Sequence, residues 1–226
     1  CIFFNKVMLE SLSLSSPYDA VNDGSWTMDQ FFTLAAGAIR DVNGDQAYVI
    51  DDDVFGYIGL YDGYVTSFWV AGGFKTTQKD ENNLPVFGIS DAFYTLLQKL
   101  FDNWSQDGMC HDPYYNAGGG IAGASDENTN YFEAGHALFY AAYVDTCQSL
   151  RDMEDDFGLV PYPKYTEEQT EYLSSTADGY INVVPSTAPD LERTSVILEA
   201  LAVETKNIVM PAYIDKSLES KALRDD

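Results

Sequence analysis

One stretch limits the folds open to this chain more than any other: Tyr131 to Pro185. It opens with an apolar patch, Phe132 to Tyr143, and continues through a helical segment carrying Leu150 and Met153. It then reaches Phe157-Gly158-Leu159-Val160, a run of strand length that Pro161 and Pro163 stop. A polar connection, Lys164 to Ser175, leads into Gly179-Tyr180-Ile181-Asn182-Val183-Val184, rich in β-branched and aromatic residues and closed by Pro185. The spacing predicts two strands flanking a linker, an ordinary feature of an α/β sheet. Tyrosines and small residues edge both strands, as they do where strand ends face a ligand.

Composition sets the class. The 226 residues, 46% of them hydrophobic, suffice for one large domain or two small ones with a packed core. Twelve basic against 36 acidic residues give a formal charge of -24, which repels a phosphate backbone and argues against nucleic acid as a partner. No apolar run approaches the roughly 20 residues of a spanning helix. The three cysteines, Cys1, Cys110 and Cys147, are odd in number and lack metal-ligand spacing. Cys1 could be the lipid-bearing first residue of a bacterial lipoprotein, but Ile2-Phe3-Phe4 reads as a buried strand rather than a tether. The two histidines, His111 and His136, stand in no nucleophile or zinc pattern. Carboxylates are so numerous that Asp155-Asp156 and Asp51-Asp52-Asp53 read as solvated surface rather than as a glycosidase pair.

In chain order, a strand from Cys1 to Phe4 is followed by a helical turn, and Ser15 to Asp19 reads as loop. Ser25 or Thr27 caps a helix with an apolar stripe of Phe31, Phe32, Leu34, Ala35 and Ile39. A strand, Val54 to Leu60, precedes a helix, Val65 to Ala71, ended by Gly72-Gly73. A hairpin is predicted between Phe74–Thr77 and Leu84–Phe87, then a helix capped by Ser90 that carries Phe93, Leu96, Leu97 and Leu100. The glycine-rich segment 116–130 reads as a flexible loop, since no strand feeds it and no Lys-Ser/Thr follows. A last amphipathic helix covers Pro189 to Ala202, and a polar one Ile214 to Arg224.

Asp41, Asn43 and Asp45 alternate as the first three side-chain ligands of a calcium loop do, with Asp52 at the closing twelfth position. Gln46 stands where the sharp turn prefers Gly, and Val49 offers no side-chain oxygen at the ninth position. An Asn-Gly turn with solvated carboxylates is the other reading of the same residues.

The order FFNKVMLE, DGSWTMDQFFTLAAGAIRDVNGD, FGYIGL, YFEAGHALF, FGLVPYPK and DGYINVVPSTAPDLERTSVILEALA resembles the extracellular solute-binding proteins of bacterial ABC importers, the sugar-binding family of maltose-binding type. The matching features are a Trp-x-x-Asp/Glu-x-Phe helix (Trp26, Asp29, Phe31), a Phe-x-x-Gly-x-Ala-Leu segment (Phe132, Gly135, Ala137, Leu138) and a Gly-x-x-Pro strand (Gly158, Pro161). The resemblance implies an α/β fold of the periplasmic-binding-protein type II, with 1–180 mainly the second lobe and 181–226 a helical return toward the first, in a fragment of a longer protein. It also implies binding of a sugar or oligosaccharide and delivery to permease subunits, outside the cytoplasm in the periplasm or as a cell-surface lipoprotein, with any lipid anchor outside this chain. Such a protein is not an enzyme and needs no cofactor beyond an optional structural calcium, which some relatives carry in a similar loop. By order along the chain, the residues expected at the ligand are Tyr64, Phe68 and Trp69, then Tyr140 and Tyr143, then Asp178 and Tyr180. The alternative is a carbohydrate-active enzyme or its accessory carbohydrate-binding domain.

Overall fold

The computed structural model of the chain describes residues 1–59, 61–112, 124–175 and 182–219, the side chains of 61–65, 124–126 and 217–219 excepted. A five-stranded sheet carries the structure: β1 (Ile2–Asn5), β2 (Phe55–Ile58), β5 (Cys110–His111), β6 (Ala137–Ala141) and β7 (Phe157–Val160), in the order β5-β2-β6-β1-β7. β2 is parallel to β5 and β6, while β1 runs antiparallel between β6 and β7, so all strands except β1 point the same way. Ile2, Phe3 and Phe4 of β1 are apolar without alternation because both faces of the sheet are covered. Ile2 and Phe4 enter one core and Phe3 the other, as the two-residue pleat requires.

The larger core gathers α2 (Pro17–Asp23), α3 (Met28–Ala38), α4 (Tyr61–Ala71) and α5 (Asp91–Trp104). Phe31 is its centre, with the rings of Trp26, Phe32, Tyr57, Phe68 and Phe139 at 4.9–6.1 Å. α3 starts where sequence chemistry puts it: the Thr27 hydroxyl accepts from the Gln30 N–H at 3.4 Å. Helix α3 lies so close to the sheet that a Cβ at Gly56 would stand 3.0 Å from the Ala35 carbonyl oxygen. Gly158 is under the same constraint, since a Cβ there would stand 2.4 Å from the Tyr18 hydroxyl. That hydroxyl accepts from the Leu159 N–H, and the Tyr18 ring packs edge-on to Phe4 at 5.0 Å. The other face is covered by α6 (Ala124–Glu133) and by tight turns over Val144–Gln148 and Leu150–Asp152. α1 (Lys6–Ser11) follows β1 directly, its first turn capped by Asn5, which accepts from the Met8 N–H at 2.8 Å.

Several expectations change. Ser15–Asp19 is not loop: Ser16 caps α2 and Pro17 occupies its first turn, a position that suits a residue without an N–H. Residues 124–130 are helical, the first turns of α6. The hairpin pairs β3 (Thr77–Lys79) with β4 (Pro85–Phe87), because Phe74 is drawn into contact with Phe93 and Tyr165. Strand β7 pairs with β1. Residues 182–184 take no regular structure and are exposed, and 179–181 lie outside the described residues. Beyond Asp190, whose side chain caps it, α7 (Leu191–Glu204) runs on through wider π-type turns and the short α8 (Met210–Tyr213) to Glu219, with no buried residue as far as Tyr213. Among the described residues no helix is long and apolar enough to cross a membrane.

Candidate functional site

The four co-directed strands end on one edge, and their last residues lead into Gly59, Asp112, Ala142-Tyr143 and Pro161-Tyr162. From β2 the chain crosses to β5 by α4 and α5 on the larger core; from β5 it crosses to β6 by α6 on the opposite face. Neighbouring strands therefore send their connections to opposite faces, the arrangement that opens a crevice at the carboxyl ends of an open α/β sheet.

Polar aromatic chemistry collects there. The Tyr162 phenol is buried and hydrogen-bonded to Ser67, and burial raises it well above the ordinary tyrosine range. Ser67 Oγ is also 3.0 Å from Ser175 Oγ, which ties α4 to the connection after β7. Tyr143 stands near Tyr162 and is 59% exposed. This Ser67, Tyr143, Tyr162 and Ser175 group offers hydroxyls beside an exposed ring. Sequence order points to Tyr143 alone of the four; the others lie on an apolar helix, between two prolines and in a polar linker.

The remaining expected residues scatter. Tyr64 lies within α4, and its side chain, like Asp178 and Tyr180, lies outside what the structure describes. Phe68 is fully buried and ringed by Phe31, Phe32, Trp104 and Tyr162 at 5.3–6.0 Å, so no face of it is left for a ligand. Tyr140 is buried against Phe3 and Phe132 with its hydroxyl 3.1 Å from Thr129 Oγ1, because its position in β6 points under α6. Trp69 is half-buried and packs on Phe93 at 5.5 Å.

The acidic loop after α3 folds on itself. Asp41 accepts from the N–H groups of Gly44 and Gln46, Asn43 from that of Asp45, and Asp45 from that of Ala47. Among the described residues no three His, Cys, Asp or Glu side chains form a group that could hold a metal ion, so Asp41, Asp45 and Asp52 do not converge as calcium ligands. The loop is closed one residue later than its sequence suggests. Asp53, buried, accepts from the N–H groups of Val42 and Val49 at 2.9 Å each, and these amides, Val49 first, hold its carboxyl below the usual range. Ionisable groups in the sheet are quiet: burial holds His111 down to about 4 and pushes Cys110 up to about 12, so both are neutral near pH 7.

No family model matches the chain, and no curated protein does. Solved structures do match by fold. The SBP RafE, in complex with raffinose, superposes with a TM-score of 0.50 at 16% identity, over 95% of this chain and 51% of that one. The ABC substrate-binding protein Lmo0181 from Listeria monocytogenes, in complex with cycloalternan, gives 0.49 at 13% identity, over 69% of this chain and 34% of that one. UspC of M. tuberculosis gives 0.47 at 14% identity, over 74% and 42% respectively. The chain thus spans between a third and about half of the length of the structures it matches. With RafE it shares the mixed α/β fold of the substrate-binding proteins, at an identity that speaks for fold alone.

Proposed function

We propose that this chain, mainly second lobe over residues 1–180 with a helical return toward the first lobe over 181–226, is part of an extracytoplasmic solute-binding subunit that presents a sugar or oligosaccharide to an ABC importer's permease. The observation that carries the reading is the exposed Tyr143 ring beside the linked hydroxyls of Ser67, Tyr162 and Ser175 at the carboxyl ends of the strands. A pyranose offers apolar C–H faces rimmed by hydroxyls, and a flat ring with neighbouring hydroxyls satisfies both without burying a charge. The fold likeness to RafE, a structure holding raffinose, supports the class of ligand.

The α7 segment supports two lobes. Leu191, Val196, Ile197, Leu201, Ile208 and Val209 are each more than half exposed or close to it, and nothing in the sheet domain covers them. An apolar surface of that extent belongs against another body, here the first lobe.

Calorimetric titration of the intact protein with raffinose, maltotriose and sucrose tests the reading, with a saturable heat for at least one sugar as the expected result. A flat titration with all three, from protein that melts cooperatively, sinks it. Cell fractionation locates the protein outside the cytoplasm; recovery in the cytosol alone removes the transport role.

A further inference from the structure

Asn128 is 1% exposed, yet among the described residues neither its amide oxygen nor its amide nitrogen has a hydrogen-bond partner. An amide in that condition loses its hydration and gains nothing in return, an arrangement a sequence sheds unless the group serves something else. Its position says what. On α6, Tyr131 and Phe132 follow Asn128 at three and four residues and so bracket its direction on the helix surface. The Tyr131 ring lies 5.6 Å from His111 on β5, and the Phe132 ring 5.5 Å from Tyr140 on β6. Asn128 therefore faces the strand between them, β2. The Gly135 turn joins α6 directly to β6, so the helix runs antiparallel to the strands and Asn128 sits one turn nearer their carboxyl ends than Phe132.

We infer that Asn128 is a recognition residue at the floor of the crevice, donating to one hydroxyl of a neutral polyhydroxyl ligand and accepting from the adjacent one. This rests on the sugar-binding reading and deepens it. A primary amide offers two donors beside an acceptor with two lone pairs, which matches a vicinal diol whose hydroxyls each donate and accept. The surroundings select a neutral molecule. His111 carries no charge near pH 7, and the Thr129 and Tyr140 hydroxyls engage each other. Tyr143 lies beyond the end of β6 on the same edge.

The test replaces the amide with an apolar group of similar volume, Asn128→Leu, in the intact protein. Without sugar the variant melts at or above the parent temperature, since it removes an unpaired amide from the interior. For whichever of raffinose, maltotriose or sucrose the parent binds, its affinity falls about tenfold or more, the scale of losing two hydrogen bonds to a neutral ligand. In the parent, the Asn128 side-chain NH2 resonances move when that sugar saturates the protein. A sugar-free variant that melts below the parent assigns the amide to the fold and overturns the inference, as does equal sugar affinity in a folded variant. Asn128 resonances unmoved in a sugar-saturated parent overturn it without any variant. A parent that binds none of the three sugars removes the sugar-binding reading itself, and the inference with it.

Discussion

The indole N–H of Trp26 donates to the carbonyl oxygen of Pro161 at 2.8 Å, joining residues 135 apart in sequence. Around it the Lys164 N–H donates to the Trp26 carbonyl and the Met28 N–H to the Lys164 carbonyl, so the start of α3 and the exit of β7 form one short bridge. Lys164, itself buried, sends its ammonium to the Glu167 carbonyl and over the Tyr172 ring. This bridge fixes where the chain leaves β7, and hence where Tyr162 stands.

Trp26→Phe keeps an aromatic in the core but removes the indole N–H and leaves the Pro161 carbonyl short of a donor. The expected loss is about 2–3 kcal/mol of stability, from a partial cavity plus one unsatisfied acceptor. Urea unfolding measures it; a midpoint unchanged from the parent would show that water replaces the indole.

Phe68 and Tyr143, both expected at the ligand from sequence order, part company by burial. Phe68→Ala empties a fully buried place beside Phe31 in the larger core and is expected to cost about 3–5 kcal/mol of stability. Tyr143→Ala, at an exposed ring, leaves the melting temperature nearly unchanged and instead weakens sugar binding by about 1–3 kcal/mol. Melting curves and calorimetry on the two variants separate the roles, and a destabilised Tyr143→Ala would move that ring into the fold.

Strand and helix positions were legible wherever one physical signal acted alone. Thr27 and Ser90 announce their helices because a hydroxyl before an apolar stripe has one good use. β7 was legible as a strand, but not its partner: four apolar residues say nothing of which strand completes the ladder, and β1 takes that place from the far end of the sequence. Phe68 and Tyr143 could not be told apart, since an aromatic looks the same whether its neighbours in space are rings or water. Asn128 carried no signal, because a buried amide without a partner is visible only once the sheet beneath it is in place.

The acidic loop makes a prediction about calcium. Asp41 satisfies two backbone N–H groups and Asp53 two more, whereas Asp52 is exposed. Asp41→Ala and Asp53→Ala are expected to lower the melting temperature equally in calcium and in chelator, and Asp52→Ala to leave it unchanged. For Asp53 the depressed carboxyl gives the sign with pH: its contribution is present above the unfolded value near 3.9 and is lost as pH falls through the lower folded value. A calcium-dependent gap between parent and Asp41→Ala would reinstate the ion.

His111 titrates in the opposite sense from a histidine that gains a partner. Burial, opposed in part by Asp51, holds it down to about 4, while the unfolded chain binds the same proton below about 6.5. Between those values the unfolded state carries more protons, so lowering the pH from 6.5 toward 4 favours unfolding. His111→Gln should flatten that part of the stability profile. An imidazole seen by NMR to titrate near 6.5 in the folded protein would remove the effect.

The final expectation concerns the helical end. From Leu191 to Tyr213 no residue is buried, and the contact of this end with the sheet domain lies in the last stretch, between Ile214–Glu219 and the turn Val144–Gln148. An element that buries nothing contributes little to cooperative unfolding, because its apolar side chains are as wet in the folded state as in the unfolded one. Chain ended at Ala188 should therefore keep the urea midpoint and melting temperature of chain ended at Glu219, with both purified and measured alone. In the longer form the amides of α7 should exchange with solvent far faster than those of β1 and β6. Adding the segment that covers α7 should slow that exchange and raise the melting temperature of the longer form only. If the shorter form melts lower than the longer one when each is measured alone, the helix rests on the sheet domain in solution, and its exposed face is not kept for a second lobe.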